Sequence, residues 1–370
     1  MPIVPAIGDE AKIRALNSLS IRGLRAMYDE RRQLFCDRLV RTESGLKKEG
    51  LSERYTLMTL MGLRRGEEFG LQNPFNVDAI LNGLFEDTRW LDNIGDLGLL
   101  LWTCALVAPG RFEEVYRKFQ VATALDRDPL AVDRYTMEMA WFLAGLAHGA
   151  LAGQDGIGGL ASLAERSYQI LCANQACKGI FGHRAWGMRS AGAIRGRLGS
   201  FADQVYPIYA LSKFSSAFGH VEALERAQAC AETICSAQGP LGQWWWHYDS
   251  RTARVARKYP VYAVHQDAMA PMALFALSES CGQDYGSPVF KGLAWIYGQN
   301  ELNFNLCDES ADIVWRCIHL PRLATYLEQA ASLLGLGPLT TAPARLRVRL
   351  EDRPYHFGWV LYAFASYGFE

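Results

Sequence analysis

No stretch of this sequence is apolar for long enough to cross a bilayer; the segment from Leu97 to Ala108, among the longest, is too short and too interrupted. Neither sign of charge dominates. With 38 Lys and Arg against 39 Asp and Glu, a net charge of -1 and a pI near 6.7, the chain is neither a globally basic nucleic-acid binder nor a polyacidic tail. The first 35 residues hold no apolar core ahead of a small-residue cleavage site, so no exported form is expected and a cytoplasmic protein is. Cysteine pairing is missing too: the nine cysteines are odd in number and contain no Cys-x-x-Cys, which excludes a disulfide framework and a zinc ribbon and leaves core thiols. Cys172 with Cys177 and Cys230 with Cys235 repeat a five-residue spacing, but on a helix this spacing does not converge on one metal. There is no Walker A sequence, HExxH, G-x-S-x-G elbow or dinucleotide fingerprint, and the glycines from Gly153 to Gly159 form a turn. No metal or cofactor is expected.

What is present is a repeat. Three segments carry a basic residue, a small residue, an apolar helix and then a glutamine before a loop: Arg166-Ser167 to Gln175, Arg226-Ala227 to Gln238, and Lys291-Gly292 to Gln299, the glutamines standing 63 and 61 residues apart. A second feature runs in phase: Asp203-Gln-Val-Tyr-Pro207 and Asp267-Ala-Met-Ala-Pro271 stand 64 residues apart. A period near sixty holds one helical hairpin, and six hairpins account for 370 residues. Seven runs read as inner helices, apolar nearly all round: Tyr55 to Leu63, Ile94 to Leu106, Tyr135 to Ala147, Val205 to Phe214, Ala268 to Leu277, Ile313 to Leu320 and Phe357 to Tyr367. One of the seven is surplus to a six-hairpin ring. Amphipathic outer helices are expected at 111–121, 160–171, 221–234 and 323–334, with residues 1–50 forming N-terminal outer helices. Strand alternation is confined to a short hairpin between Trp244 and Tyr262. The fold expected is therefore all-α, one (α/α)6-type toroid over residues 1–370 with a central pocket.

The pattern Gln238-x-x-x-Gly242-x-Trp244, preceded by Arg226-Ala227, resembles the QW repeat of squalene and hopene cyclases. It points to the terpenoid cyclase and protein prenyltransferase toroid superfamily, whose fold relatives include polysaccharide lyases, epimerases and glycosidases. The resemblance covers roughly the C-terminal half and implies fold rather than chemistry. In place of the Asp-x-Asp-Asp proton donor of class II cyclases this chain has Asp126-Arg-Asp128-Pro129, and no Asp, Cys and His trio matches the prenyltransferase zinc site.

In a toroid the chemistry sits at the inner-helix starts and the loops feeding them. Those positions carry Arg54 and Tyr55; Asn93 and Asp96; Asp133, Arg134, Tyr135 and Glu138; Asp203, Gln204 and Tyr206; Tyr262, His265, Gln266 and Asp267; Asp312, Trp315 and Arg316; Tyr355 and His356. A carbocation pocket should be aromatic and dry, whereas this ring is polar and suits acid–base work on sugars. The acid–base candidates are His265, Asp267, Tyr262, Asp133, Glu138 and Asp203; those for holding substrate are Arg134, Gln266, Tyr206, Trp244, Trp246, Arg254, Arg257, Trp315, Arg316 and His356. Each has a structural alternative. Asp203 and Asp267 can be helix caps, Arg134 and Glu138 an ion pair four residues apart, and two of the three tryptophans 244–246 packing groups, since three in a row cannot share one face.

Two basic loops, His183 to Arg197 and Arg251 to Lys258, precede the aspartates of the second repeat. Positive charge there would favour an anionic substrate, and solvated loops are the alternative. The expectation is a carbohydrate-active lyase, epimerase or hydrolase acting on an acidic sugar, with a terpenoid or prenyl-diphosphate enzyme and a non-catalytic glycan- or protein-binding toroid as alternatives. Neither nucleic acid nor a membrane span enters this reading, and the oligomeric state is open.

Overall fold

The computed structural model describes residues 9–126, 134–184, 196–321 and 345–369. Outer and inner helices alternate along it: α1 (Asp9–Met27), α2 (Glu53–Glu68), α3 (Val77–Glu86), α4 (Ile94–Val107), α5 (Phe112–Lys118), α6 (Thr136–Gly149), α7 (Leu160–Cys172), α8 (Ala202–Phe218), α9 (Val221–Ser236), α10 (a π turn, His265–Met269, running into Ala270–Cys281), α11 (Gly286–Ile296) and α12 (Pro354–Phe364). The even-numbered helices form the inner ring, each packed on the next, and α12 closes on α2. The result is an (α/α)6 toroid.

Pattern explains placement. The α4 sequence is apolar on every side and twelve of its residues are buried, as two helical neighbours and an outer layer require. In α7 the buried positions Leu160, Leu163, Ala164, Ser167, Tyr168 and Leu171 keep i, i+3, i+4 spacing, so one stripe faces inward. Caps fix the starts: Ser52 accepts from Tyr55 N, and Asn93 accepts from the backbone of Gly95 and Asp96.

The repeated glutamines tie one hairpin to the next. Gln175 Nε2 donates to the carbonyls of Gly179 and Arg226, and Gln238 Nε2 to those of Gly242 and Pro288. In each case the second acceptor lies on or at the following outer helix. Gly242 has φ +94°, and a Cβ there would come within 2.1 Å of the Lys291 carbonyl, so the repeat requires glycine at this turn. The third glutamine, Gln299, departs from the pattern: it is exposed, and its loop is held by Asn300, which donates to the Trp295 and Phe304 carbonyls.

Two sequence expectations need correction. Ile313 to Leu320 is extended rather than helical: Cys317 and Ile318 pair with Tyr262 and Val261 on one side, and 317–319 with 347–349 on the other. Its β-branched residues satisfy their backbone in a sheet at the ring's edge. Residues 1–50 supply one outer helix, α1; from Tyr28 to Glu49 the chain forms short strands, with Arg38–Thr42 pairing both Gly45–Glu49 and Glu351–Asp352. An outer helix at 323–334 lies outside the described residues. The hairpin between Trp244 and Tyr262 is present, His247–Asp249 pairing with Arg254–Arg257, and Leu198–Ser200 adds a third strand on the other side of His247–Asp249. Among the described residues no helix is long and apolar enough to cross a membrane.

Aromatic side chains fill the lumen. Trp102 stacks on Tyr209 at 4.7 Å and His148 at 5.5 Å, with Trp359 at 5.3 Å; Trp359 Nε1 donates to the Tyr206 hydroxyl at 3.0 Å, and Tyr206 meets Trp141 edge to face. Around this column α2 and α12 close the ring backbone to backbone, and a Cβ on Gly62 would lie 2.0 Å from the Gly358 carbonyl. Gly358→Ala should therefore destabilise the protein by about 1–3 kcal/mol, as overpacking does. Gly83→Ala on α3, where a Cβ meets open space, should stabilise by up to about 1 kcal/mol. Urea unfolding of both variants measures the contrast; equal effects would contradict this packing.

Candidate functional site

All six inner helices start on the same side of the ring, and the first turns of α2, α4 and α6 assemble a charged arc. Asn93 caps α4 and fixes its first turn, where Asp96 is buried. Asp96 accepts from Asp92 N at 3.1 Å, and its Oδ1 takes both Arg54 Nε and a terminal guanidinium nitrogen at 2.7 Å. The Arg54 guanidinium lies 5.7 Å over the Trp141 ring. Glu138, in the first turn of α6, accepts from Tyr135 N at 3.5 Å. Its side chain packs on the α4 start so closely that a Cβ on Gly95 would fall 2.8 Å from Glu138 Cγ. Burial raises the Glu138 pKa; the Tyr135 N–H and Arg54 oppose the rise, and Asp96 adds to it. Two carboxylates thus adjoin in different surroundings, one bound to an arginine and one held toward its neutral form.

Aromatic and polar groups continue the ring. Tyr55 packs at a tilt on Tyr355 at 4.6 Å, and its hydroxyl accepts from Arg353, which also pairs with Asp37 at 3.1 Å. His265 lies among Phe201, Tyr262 and Trp246, the last stacked on it at 5.9 Å. Arg316 covers Tyr262 at 5.0 Å and pairs with Glu351 at 3.1 Å. Burial, with lesser contributions from Arg316 and His356, pushes the His265 pKa down to about 3. The imidazole is therefore held neutral near pH 7, and the contacts it makes are those of its ring with Phe201, Tyr262 and Trp246.

Asp203 takes the capping role expected of it. It forms a capping box with Ser200, accepting Ser200 N at 2.8 Å while Asp203 N donates to Ser200 Oγ at 3.3 Å, and the same carboxylate holds His183 Nδ1 at 3.0 Å. His183 in turn packs on the Tyr135 ring at 4.7 Å. Asp267 sits elsewhere. Fully buried inside the π turn, it binds His356 Nε2 at 2.8 Å, and Asp352 binds His356 Nδ1 at 2.9 Å. Burial alone would lower the His356 pKa, but the two carboxylates outweigh it and hold it at about 10. This Asp–His–Asp array ties α10 to α12, the structural role the geometry gives Asp267 and His356.

The other expected residues divide the same way. Trp244 and Trp315 are buried and cannot stack on a sugar; Trp315 packs under the Arg41 guanidinium at 4.9 Å. Of the three adjacent tryptophans only Trp246 is half-exposed. Gln266 accepts from Trp244 N and donates to the Tyr262 carbonyl, just as Gln204 does for Phe181 N and Ser200 O, so both are loop anchors rather than ligand groups. Tyr206 is buried in the aromatic column. Arg134 donates to the Leu125 carbonyl, Arg254 is exposed on its strand, and Arg257 is buried on the same strand. Asp133 lies outside the described residues. Sequence reasoning ranked Arg54, Asp96 and Tyr355 below the chosen candidates and saw His183 only as part of a basic loop.

Beside the charged arc a cavity of about 660 Å3 opens, lined by Arg54, Tyr55, Asp96, Trp90, Asp37 and Arg89 among others. Several solved glycosidases share this toroid fold. The chain is similar to a possible GH105 family member from Salmonella enterica serovar Paratyphi A (13% identity, 97% of this chain and 94% of that one, TM-score 0.62). It is also similar to the unsaturated glucuronyl hydrolase of Bacillus sp. GL1, responsible for glycosaminoglycan degradation (14%, 96% and 95%, TM-score 0.60). A third is an inactive variant of the α-1,6-mannanase of Salegentibacter sp. HEL1_6, bound to α-1,6-mannotetrose (11%, 96% and 98%, TM-score 0.58). These likenesses establish the α/α toroid fold. No protein-family model and no curated protein sequence matches the chain.

Removing one partner of a buried ion pair leaves the other uncompensated, so Asp267→Ala should destabilise by about 3–5 kcal/mol. Because the folded His356 pKa is raised, the stabilisation it gives is fully present below its unfolded value of 6.5 and is lost as pH rises through about 10. Urea unfolding at pH 6 and above pH 10 checks the sign; stability unchanged by Asp267→Ala would contradict the array.

Proposed function

We propose that this chain is a carbohydrate-active enzyme that hydrolyses a glycan, with Glu138 as proton donor and Asp96 as its carboxylate partner. The observation that carries this reading is the adjacency of Glu138 to the Arg54–Asp96 pair at consecutive inner-helix starts. A carboxyl held toward its neutral form can protonate a departing sugar oxygen, while an arginine-bound carboxylate orients and deprotonates the attacking water. Tyr55, Tyr355 and Trp246 provide aromatic surface for sugar rings. The similar solved structures, glycosidases with the same fold, support this substrate class.

Charge around the mouth is uneven. The cavity beside Arg54 carries Asp37, Glu53, Asp87, Asp92 and Asp96 against Arg54 and Arg89, a balance that disfavours an acidic sugar at this side of the mouth. The polar arc disfavours cyclisation of a polyprene, since a carbocation beside Glu138 and Asp96 would lose a proton to them.

Glu138→Gln keeps the side chain's shape and removes its proton, so kcat/KM should fall about 10^2- to 10^4-fold with the protein still folded. The assay is product analysis on neutral and uronate-containing oligosaccharides. Full activity in the variant would displace the acid from Glu138; binding without turnover in the wild type would favour the non-catalytic toroid.

A further inference from the structure

The C-terminal ends of the inner helices surround a second cavity, of about 600 Å3, a size that holds small ligands. It is remote from the charged arc: Arg54 and Arg64 stand ten residues apart on α2, about 15 Å along a helix. Between the two mouths lies the buried column of Trp102, Tyr209 and Trp359.

The floor of this cavity is a hydrogen-bonded chain. His148 Nε2 lies 2.7 Å from the Tyr209 hydroxyl, which lies 2.5 Å from the hydroxyl of Tyr362. Tyr209 is engaged on both sides, and Tyr362, half-buried, is the most open of the three. At the rim each cation carries its own carboxylate: Lys213 Nζ is 3.1 Å from Glu279 and Arg65 is 2.7 Å from Glu68. Phe69, Phe275 and Tyr367 supply apolar wall.

This lining selects by chemistry. An anion would have to displace a carboxylate from each cation, and a cation would have to displace each cation from its carboxylate. A sugar hydroxyl pair does neither, because one hydroxyl can accept from Lys213 while its neighbour donates to Glu279, and C–H faces pack on the aromatic wall. We propose that the mouth formed by the inner-helix C-termini is a second binding site, for an uncharged sugar ring, with Tyr362, Lys213 and Glu279 as its polar contacts. The inference stands apart from the reaction assigned to the opposite mouth.

The test is titration of the full chain with D-glucose, D-mannose and maltose, and with D-glucuronate as the charged comparison, followed by saturation-transfer NMR. At least one neutral sugar should bind with a millimolar Kd and more tightly than glucuronate. Tyr362→Phe and Lys213→Met should each weaken it about tenfold, the loss of a hydrogen bond worth about 1.4 kcal/mol, while Arg54→Met at the other mouth leaves it unchanged. Lys213 stands at the rim, so its variant keeps the proposal testable if Tyr362→Phe fails to fold. No binding of any neutral sugar up to about 50 mM, tighter binding of glucuronate, or binding lost in Arg54→Met and kept in Lys213→Met would overturn it.

Discussion

Everything in this protein depends on how closely its inner helices approach one another. At the closure between α2 and α12, Gly62 meets the Gly358 backbone with no room for a methyl group, and between α4 and α6 a Cβ on Gly145 would lie 2.5 Å from the Gly98 carbonyl. Glycines at crossings let the backbones touch, which tightens the ring until its lumen fits one column of aromatic rings. The column plugs the ring midway, so each mouth is a separate basin and the polar residues of each mouth are confined to one turn of helix.

That confinement creates the site's electrostatics. Asp96, Glu138 and Asp203 all occupy first turns, where the free N–H groups and helix dipole favour a negative carboxylate. Burial works against the charge. Asp96 gains an arginine and Asp203 a histidine and a capping serine, whereas Glu138 has one long backbone hydrogen bond and burial prevails. Three similar positions in successive hairpins thus carry carboxylates with different partners, and at Glu138 burial raises the pKa, as a general acid requires.

The architecture was largely legible because a toroid repeats itself. Gln175 and Gln238 mark equivalent loop-to-helix bridges, and the all-round apolar runs identify the six inner helices. Ile313 to Leu320 misled because apolar spacing in a short run does not separate a buried helix from an edge strand; the partner strands at 261–262 and 347–349 are remote in sequence. The site was legible in position but not in detail. Gln204 and Gln266 play the same anchoring part, which aligns His265, not Asp267, with Asp203, because the π turn shifts the register of the helix beyond it. Reading Asp203 against Asp267 through their prolines therefore turned Asp267 toward a pocket it does not face. Its partner, His356, lies 89 residues away, and no local pattern announces such a contact.

The most direct measurement of the central claim is the pH dependence of kcat/KM on a glycan substrate, in the wild type and in Arg54→Met. If Glu138 must be protonated to act, activity falls on the alkaline side through a pKa above the ordinary carboxylate range. Arg54 lowers that pKa and neutralises Asp96, so its removal should carry the alkaline limb to higher pH. A limb that stays in place in Arg54→Met, or a profile with no alkaline fall, would contradict the assignment of Glu138 as the acid.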